Sequence, residues 1–108
     1  MIRAKLSNFK LGWVIGNFEP SILNTQNFEF AVKSYTAGEK EELHHQKIAI
    51  EVTVVVVGTC LLGGETLTAG DVLRLDPLES ASFEAITDCT VAAIKTPSLP
   101  SDKVLGSA

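Results

Sequence analysis

Glycine and proline residues divide the 108-residue chain into short segments, and this division constrains the fold more than any other sequence feature. No two successive members of this set are more than 20 residues apart, and short segments bounded by such turn residues are typical of all-β domains. No longer window shows a clean helical period with a cap at each end. The dividing residues are Gly12, Gly16, Pro20, Gly38, Gly58, Gly63, Gly64, Gly70, Pro77 and Pro97.

Most of the segments between these residues have the composition of β-strands. Residues 27–36 alternate between Phe28, Phe30 and Val32 on one face and Glu29, Ala31 and Lys33 on the other. Residues 48–57 carry β-branched side chains on both faces, which predicts a central strand. The sequence around Gly63-Gly64 predicts a hairpin. Further strands are expected at residues 71–76, 80–87 and 89–96.

The charged stretch at residues 36–47, which contains Glu41 and Glu42, is interpreted as an exposed loop that leads into the valine-rich strand. A domain of about six to nine short strands must close on itself or stack as two sheets, because open sheets leave unpaired edges. The sequence therefore predicts an all-β fold, a small barrel or jelly roll, with residues 1–108 forming one domain.

The charge of the chain limits its partners. The formal net charge is -4 and the calculated isoelectric point is about 5.0, with no cluster of lysine and arginine. Nucleic acids and anionic membranes both require a basic surface, so neither is an expected partner. The longest apolar run is too short to span a bilayer, and we expect a cytoplasmic protein. Cys60 and Cys89 are interpreted as buried thiols, with a single disulfide as the alternative.

One motif carries chemical information. Five residues separate Gly38 from His44, one separates His44 from Gln46, four separate Gln46 from Glu51, and six separate Glu51 from Gly58. This spacing resembles the first motif of the cupin superfamily, in which the position of Gln46 is a second histidine.

A second motif of that superfamily is preserved only at its start, Gly70-Asp71-Val72, and Ala81 stands where its histidine should be. The stretches "WVIGNFEPS" (13–21), "HHQKIAIE" (44–51) and "IKTPS" (94–98) also resemble small single-domain cupins. The resemblance covers about residues 12–104 and implies the double-stranded β-helix, or RmlC-like jelly roll.

The resemblance also implies a candidate metal site, which is incomplete. Typical cupins bind a divalent metal through three histidines and a glutamate. Here His44, Gln46 and Glu51 are the candidate metal ligands, and Ala81 supplies none. Residues i and i+2 of a strand share a face, so His44 and Gln46 should both point into the barrel while His45 points away. We therefore expect no tightly bound cofactor, although a weakly held divalent transition metal remains compatible with the motif.

A carboxylate within the valine-rich strand requires a partner, and Lys33, Lys47, Arg74 and His44 are the candidates for Glu51. Lys95 is interpreted as a charge at a strand end, and Arg74 as facing solvent or pairing with Asp76. The candidate ligand-binding residues are His44, Gln46, Glu51 and Lys33.

Two functions remain open. One is a small-molecule-binding cupin domain with an incomplete metal site. The other is an enzyme of the isomerase, lyase or oxygenase type that uses His44 and Glu51 as an acid–base pair or to hold a weakly bound metal. The resemblance also implies a homodimer. The segment "LGWVIGNF" (11–18) has more apolar residues than a free terminal arm should expose, so we expect it to pack on a partner or on its own barrel.

Overall fold

The computed structural model describes all 108 residues and contains eleven strands and two short 3-10 helices. The 3-10 helices are Leu6–Asn8 and Lys10–Gly12. The strands are β1 (Trp13–Gly16), β2 (Leu23–Asn24), β3 (Glu29–Tyr35), β4 (Lys40–Gln46), β5 (Ile50–Val57), β6 (Thr59–Leu62), β7 (Glu65–Thr68), β8 (Val72–Leu75), β9 (Ala81–Ala85), β10 (Cys89–Thr96) and β11 (Lys103–Leu105).

The strands form two sheets, which confirms the predicted all-β jelly roll. The six-stranded sheet has the order β2-β1-β3-β10-β5-β8, and the five-stranded sheet has the order β11-β4-β9-β6-β7. The valine-rich strand β5 lies between β10 and β8, so it is an inner strand, as its composition predicts. Most neighbouring strands in the two sheets are not consecutive in the chain, and the pairing of β4 with β9 brings the two motifs together.

The hairpin prediction is confirmed, since β6 and β7 are antiparallel and joined by Gly63 and Gly64. Both glycines have positive φ, 61° and 80°, which the tight turn of a two-residue hairpin requires. The structure contains no helix that is long and apolar enough to cross a membrane.

The interpretation of residues 36–47 as a loop is wrong, because most of that stretch is strand β4. β4 pairs with β9 on one side and β11 on the other, and these backbone hydrogen bonds outweigh the low β-propensity of its charged residues. A register shift between Glu41 and His44 turns both side chains toward the interior. Strands β1, β2 and β11 were not expected from the sequence either.

An apolar core fills the part of the barrel that surrounds Phe83. It contains both cysteines, which are buried and free, so the disulfide alternative is wrong. Desolvation by burial raises the pKa of both thiols. The buried members are Val55, Cys60, Leu62, Leu67, Ala81, Phe83, Ala85, Cys89 and Val91.

Two buried polar residues near the carboxyl terminus fix the ends of the barrel. The carboxylate of Asp102 accepts hydrogen bonds from the backbone N–H groups of Ile48 and Ala49, and so holds the turn that joins β4 to β5. The hydroxyl of Ser98 accepts from the backbone N–H of Asn17 and donates to Glu29. The amino-terminal and carboxyl-terminal stretches that resemble small cupins are therefore in direct contact.

Candidate functional site

Charged side chains from the six-stranded sheet enter the interior because of strand alternation. Glu51 on β5 and Lys95 on β10 are directly opposite each other, and Lys33 on β3 is opposite Val91 of the core. All three residues share the inward face with buried neighbours such as Ala93 and Thr53. On β3, the face that carries Glu29, Ala31 and Lys33 is therefore the one that points into the barrel.

The side chains of His44 and Gln46 approach from the opposite sheet. Both residues are buried, and the amide nitrogen of Gln46 donates to a Glu51 carboxylate oxygen at 3.4 Å. The Nδ1 atom of His44 lies 2.9 Å from the backbone carbonyl of Glu42, so Nδ1 carries the proton and donates. His45 points to the other face, where its Nδ1 contacts the carbonyl of Gly106 at 2.8 Å.

The partner of Glu51 is Lys95. The Lys95 Nζ atom lies 4.0 Å from a Glu51 carboxylate oxygen, and each side chain is only 13% exposed. Lys95 lies one residue before the end of β10, in agreement with its interpretation as a strand-end charge, but its position on the inward face carries the side chain into the interior under Trp13. None of the four partners expected for Glu51 forms the ion pair. Arg74 instead pairs with Asp76 at the surface, as one reading of the sequence allowed.

A second charged group is formed by Lys33, Tyr35 and Glu41. The Lys33 Nζ atom lies 3.5 Å from Glu41 Oε2, and the Tyr35 hydroxyl donates to the same oxygen at 2.6 Å. Burial would raise the pKa of Glu41, but Lys33 and the Tyr35 hydrogen bond outweigh burial and hold it below its ordinary value. Burial and this hydrogen bond both raise the pKa of Tyr35. Glu41 thus belongs to the interior and not to an exposed loop.

The indole ring of Trp13 joins the two charged groups. The Nζ atoms of Lys33 and Lys95 lie 4.8 and 4.9 Å from the ring centroid, within the range of a cation–π contact. Burial lowers the pKa of Lys95, against the opposing attraction of Glu51 and Glu29. The amino-terminal apolar segment therefore packs, through Trp13, on its own barrel.

The free space around these groups is unevenly distributed. The interior cavity lined by Lys33, Glu41, His44 and Glu51 has a volume of about 20 Å³, enough for about one water molecule. A cleft of about 530 Å³ lies between the amino-terminal segment and β3, and it shares Lys33, Tyr35 and Glu41 with the interior cavity. Space of ligand size is therefore found beside the barrel.

The residues of the interior do not fit a resident transition metal of the cupin type. Nowhere in the structure do three His, Cys, Asp or Glu side chains converge as a donor set. Ala81 is directly opposite His44 but has no donor atom. Glu51, the one anionic residue of the expected set, is neutralised by the ammonium group of Lys95. Protein sites that retain a transition metal generally supply three or four donors.

Comparison with solved structures identifies the fold. An uncharacterized conserved protein with a double-stranded β-helix domain from Klebsiella pneumoniae is 16% identical and superposes with a TM-score of 0.72, over 81% of this chain and 76% of that one. An RmlC-like cupin protein from Desulfovibrio desulfuricans is 22% identical, with a TM-score of 0.62 over 69% and 76%. The bacterial pirin YhhW from Escherichia coli, solved in complex with nickel(II), is 21% identical, with a TM-score of 0.67 over 81% and 39%.

The chain therefore has the double-stranded β-helix fold of the cupins, as the resemblance of its motifs implied. At these identities the likeness establishes the fold alone. No family model matches the sequence, and no curated protein matches it.

Of the four residues expected to bind ligand, the structure joins Gln46 to Glu51, and places His44 and Lys33 at the same small cavity as Glu51. Sequence reasoning missed Tyr35, Glu41 and Lys95 as members of this interior. The signal was present in the alternation of β3 and β10, where Tyr35 shares a face with Lys33 and Lys95 shares one with Ala93. Glu41 had no such signal, because the register shift before His44 breaks the alternation.

Proposed function

We propose that the protein is a small-molecule-binding domain of the cupin fold that works without a resident metal. The observation that carries this proposal is the ion pair between Lys95 and Glu51. The ammonium group of Lys95 pairs with the carboxylate of Glu51, which would be the anionic metal ligand. A metal ion would therefore have to displace Lys95 from Glu51 or bind against the repulsion of its charge. The nickel(II) of the pirin YhhW is a property of that protein.

The interior supports a binding function because it contains more charged residues than the stability of the fold requires. Lys33, Lys95, Glu41 and Glu51 are four charged residues in a 108-residue domain that are held inside a barrel. Buried ion pairs contribute little net stability compared with apolar residues of the same size, so stability alone does not account for them. A recognition site does, because it needs donors and acceptors in fixed positions.

The test is a thermal-shift screen of neutral, anionic and cationic small molecules in the presence of a chelator. A ligand that binds the folded state raises the melting temperature as its concentration rises. We expect at least one class to stabilise the protein with the chelator present. If stabilisation appears only when a divalent metal is added, metal-independent binding is wrong.

The second candidate function is an enzyme of the isomerase, lyase or oxygenase type. The observation that favours it is that His44 and Glu51 line the same interior cavity, where they are available as an acid–base pair or as weak metal ligands. Calorimetric titration with Mn²⁺, Ni²⁺ and Zn²⁺, compared between the native chain and Glu51→Gln, tests the metal version. Saturable binding that disappears in Glu51→Gln would favour the enzyme.

We further propose that the protein forms a homodimer and resides in a reducing compartment, the cytoplasm. The free thiols of Cys60 and Cys89 support the second part, because an oxidising environment favours paired cysteines. The first part is supported by a row of apolar residues on the outer face of the six-stranded sheet, formed by Val32, Ala92, Val54 and Val72.

A further inference from the structure

The cleft of about 530 Å³ has two chemically different sides. One side is the amino-terminal segment, which contributes the apolar side chains of Leu6, Phe9 and Leu11. The other side is the polar group of Lys33 and Glu41, together with the ring and hydroxyl of Tyr35. A molecule that fills the cleft must therefore be amphipathic. Its volume lies in the range of small-molecule sites in proteins, whereas the interior cavity holds about one water.

We propose that this cleft is the binding site of the protein and that its ligand is a neutral, hydroxyl-bearing molecule with an apolar part, such as an alkyl glycoside. The inference rests on the proposed small-molecule-binding function and moves the site from the barrel centre to its flank. The sequence motif predicts a site at His44 and Glu51 and gives no indication of this cleft.

The hydrogen-bonding capacity of the polar side favours a hydroxyl group. Oε2 of Glu41 forms the ion pair with Lys33 and accepts the hydrogen bond from Tyr35. Oε1 of the same carboxylate makes no hydrogen bond within the protein. Lys33 has three donors, of which one faces Glu41 and one faces the Trp13 ring. A hydroxyl group is both donor and acceptor, so one hydroxyl can donate to Oε1 while it or a neighbouring hydroxyl accepts from Lys33.

The charge of the lining disfavours an anion. One lysine, Lys33, stands against two glutamates, Glu39 and Glu41, so the formal charge of the cleft is negative. A ligand carboxylate would lie near the Glu41 carboxylate and gain only a share of a lysine that is already paired. A cation would be attracted by the net negative charge, but it would have to compete with Lys33 for Glu41 and would be repelled by the Lys33 ammonium. A neutral ligand meets neither penalty.

The amino-terminal segment approaches the barrel closely at Gly12, and most of its residues before that point are exposed. Gly12, with φ of 79°, approaches β3 so closely that an added Cβ would lie 1.9 Å from the carbonyl oxygen of Val32. No residue of the two 3-10 helices, the second of which ends at Gly12, is buried, and the side chain of Leu11 is 81% exposed. Apolar surface of this segment is therefore free to contact a ligand, and burial of Leu11 would stabilise the complex.

The experiment is calorimetric titration with three probes that share a six-carbon chain: hexyl β-glucoside, hexanoate and hexylamine. We expect the glucoside to bind with a Kd on the order of 0.1 mM, the affinity typical of a ligand with about eighteen heavy atoms. The two charged probes should bind at least about tenfold more weakly. Stronger binding of hexylamine would show a cation site, stronger binding of hexanoate an anion site, and binding of none would overturn the ligand class.

Four variants test whether the glucoside binds in the cleft. Glu41→Gln and Leu11→Ser should each weaken glucoside binding by roughly tenfold, because one loses a charged acceptor and the other apolar contact. Glu42→Gln and Leu61→Ser are matched controls, since neither residue lines the cleft. If the glucoside binds equally to all four variants, or is lost only in Glu51→Gln, the cleft is wrong although small-molecule binding stands. If no compound in the screen binds, the proposed function itself fails.

Discussion

Lys95 and Glu51 are directly opposite each other on strands β10 and β5, and Lys95 Nζ lies 4.0 Å from a Glu51 carboxylate oxygen inside the barrel. Glu51, which the motif spacing predicts as an anionic metal ligand, is therefore part of an internal salt bridge. The amide nitrogen of Gln46 also donates to a Glu51 carboxylate oxygen, at 3.4 Å. Lys95 and Gln46 thus both contact the carboxylate of Glu51 from within the chain.

The first prediction concerns stability. Lys95→Met should lower the free energy of unfolding by about 2 kcal/mol, because it leaves the carboxylate of Glu51 unpaired in a largely buried position. Lys40→Met is the control: Lys40 pairs with Glu84 at 3.8 Å, but the two side chains are 70% and 41% exposed. The control should change stability by no more than about 0.5 kcal/mol. Urea unfolding of both variants makes the comparison, and equal effects would contradict an internal pair.

The second prediction concerns metal binding. The native chain should retain little transition metal after purification, and Gln46→His combined with Lys95→Met should raise its affinity for Ni²⁺ substantially. The first change adds an imidazole beside His44, and the second frees Glu51, which gives three donors. Gln46→His alone is the control and should gain less, because Lys95 still neutralises Glu51. Calorimetry measures the affinities, and an equal gain in both variants would show that Lys95 does not oppose the metal.

A histidine at position 81 is a less favourable way to complete the donor set. Ala81 is 1% exposed and belongs to the apolar core, and the adjacent cavity holds only about 20 Å³. An imidazole there overpacks the core, which costs typically about 1–3 kcal/mol. The motif spacing aligns Ala81 with the histidine of the cupin motif, but it does not show that this position is packed in the apolar core.

The fold could be predicted from the sequence because it depends on many weak signals that agree. Turn residues, β-branched segments and motif spacing all indicate the same jelly roll, and an error in one strand does not change it. Strands β1, β2 and β11 were not expected, and β4 was interpreted as a loop because its charged residues are held by neighbours on both sides that are distant in sequence. The interior was less predictable. The pairing of β1, β3 and β10 brings Trp13, Lys33 and Lys95 into contact, and no local sequence pattern predicts that pairing.

The third prediction concerns assembly. On the outer face of the six-stranded sheet, Val32, Ala92, Val54 and Val72 follow one another across four strands, and Val72 is 62% exposed. A row of apolar residues on an open sheet face favours association with a second copy. We expect light scattering at micromolar concentration to give twice the chain mass of 11.6 kDa.

Val72→Asp should shift the protein toward the monomer, because an interface would desolvate the new carboxylate. Leu105→Asp, at a residue that is 65% exposed on the other sheet, should leave the assembly unchanged. A monomeric mass for the native chain would contradict the dimer, and dissociation by both variants would place the interface elsewhere.

The fourth prediction uses Tyr35, the one tyrosine of the chain. Burial, and then its hydrogen bond to Glu41, raise the pKa of this hydroxyl above the value of about 10 that it has in the unfolded chain. The folded state therefore keeps a proton that the unfolded state loses. The resulting stability is fully present below about pH 10 and is lost as the pH rises further. Tyrosinate absorbance should accordingly appear together with unfolding, followed by circular dichroism.

Glu41→Gln should separate these two events. The variant keeps the burial of Tyr35 but loses the charged acceptor, so the tyrosine should titrate at lower pH, nearer to its ordinary value. It also leaves Lys33 without its ion-pair partner, which should lower the free energy of unfolding by about 1–2 kcal/mol at neutral pH. Glu42→Gln, one residue along the same strand and exposed, should change neither the titration nor the stability by a measurable amount. An unchanged tyrosine titration in Glu41→Gln would mean that the Tyr35–Glu41 hydrogen bond does not form in solution, and the polar side of the cleft would then lack the acceptor on which its hydroxyl recognition depends.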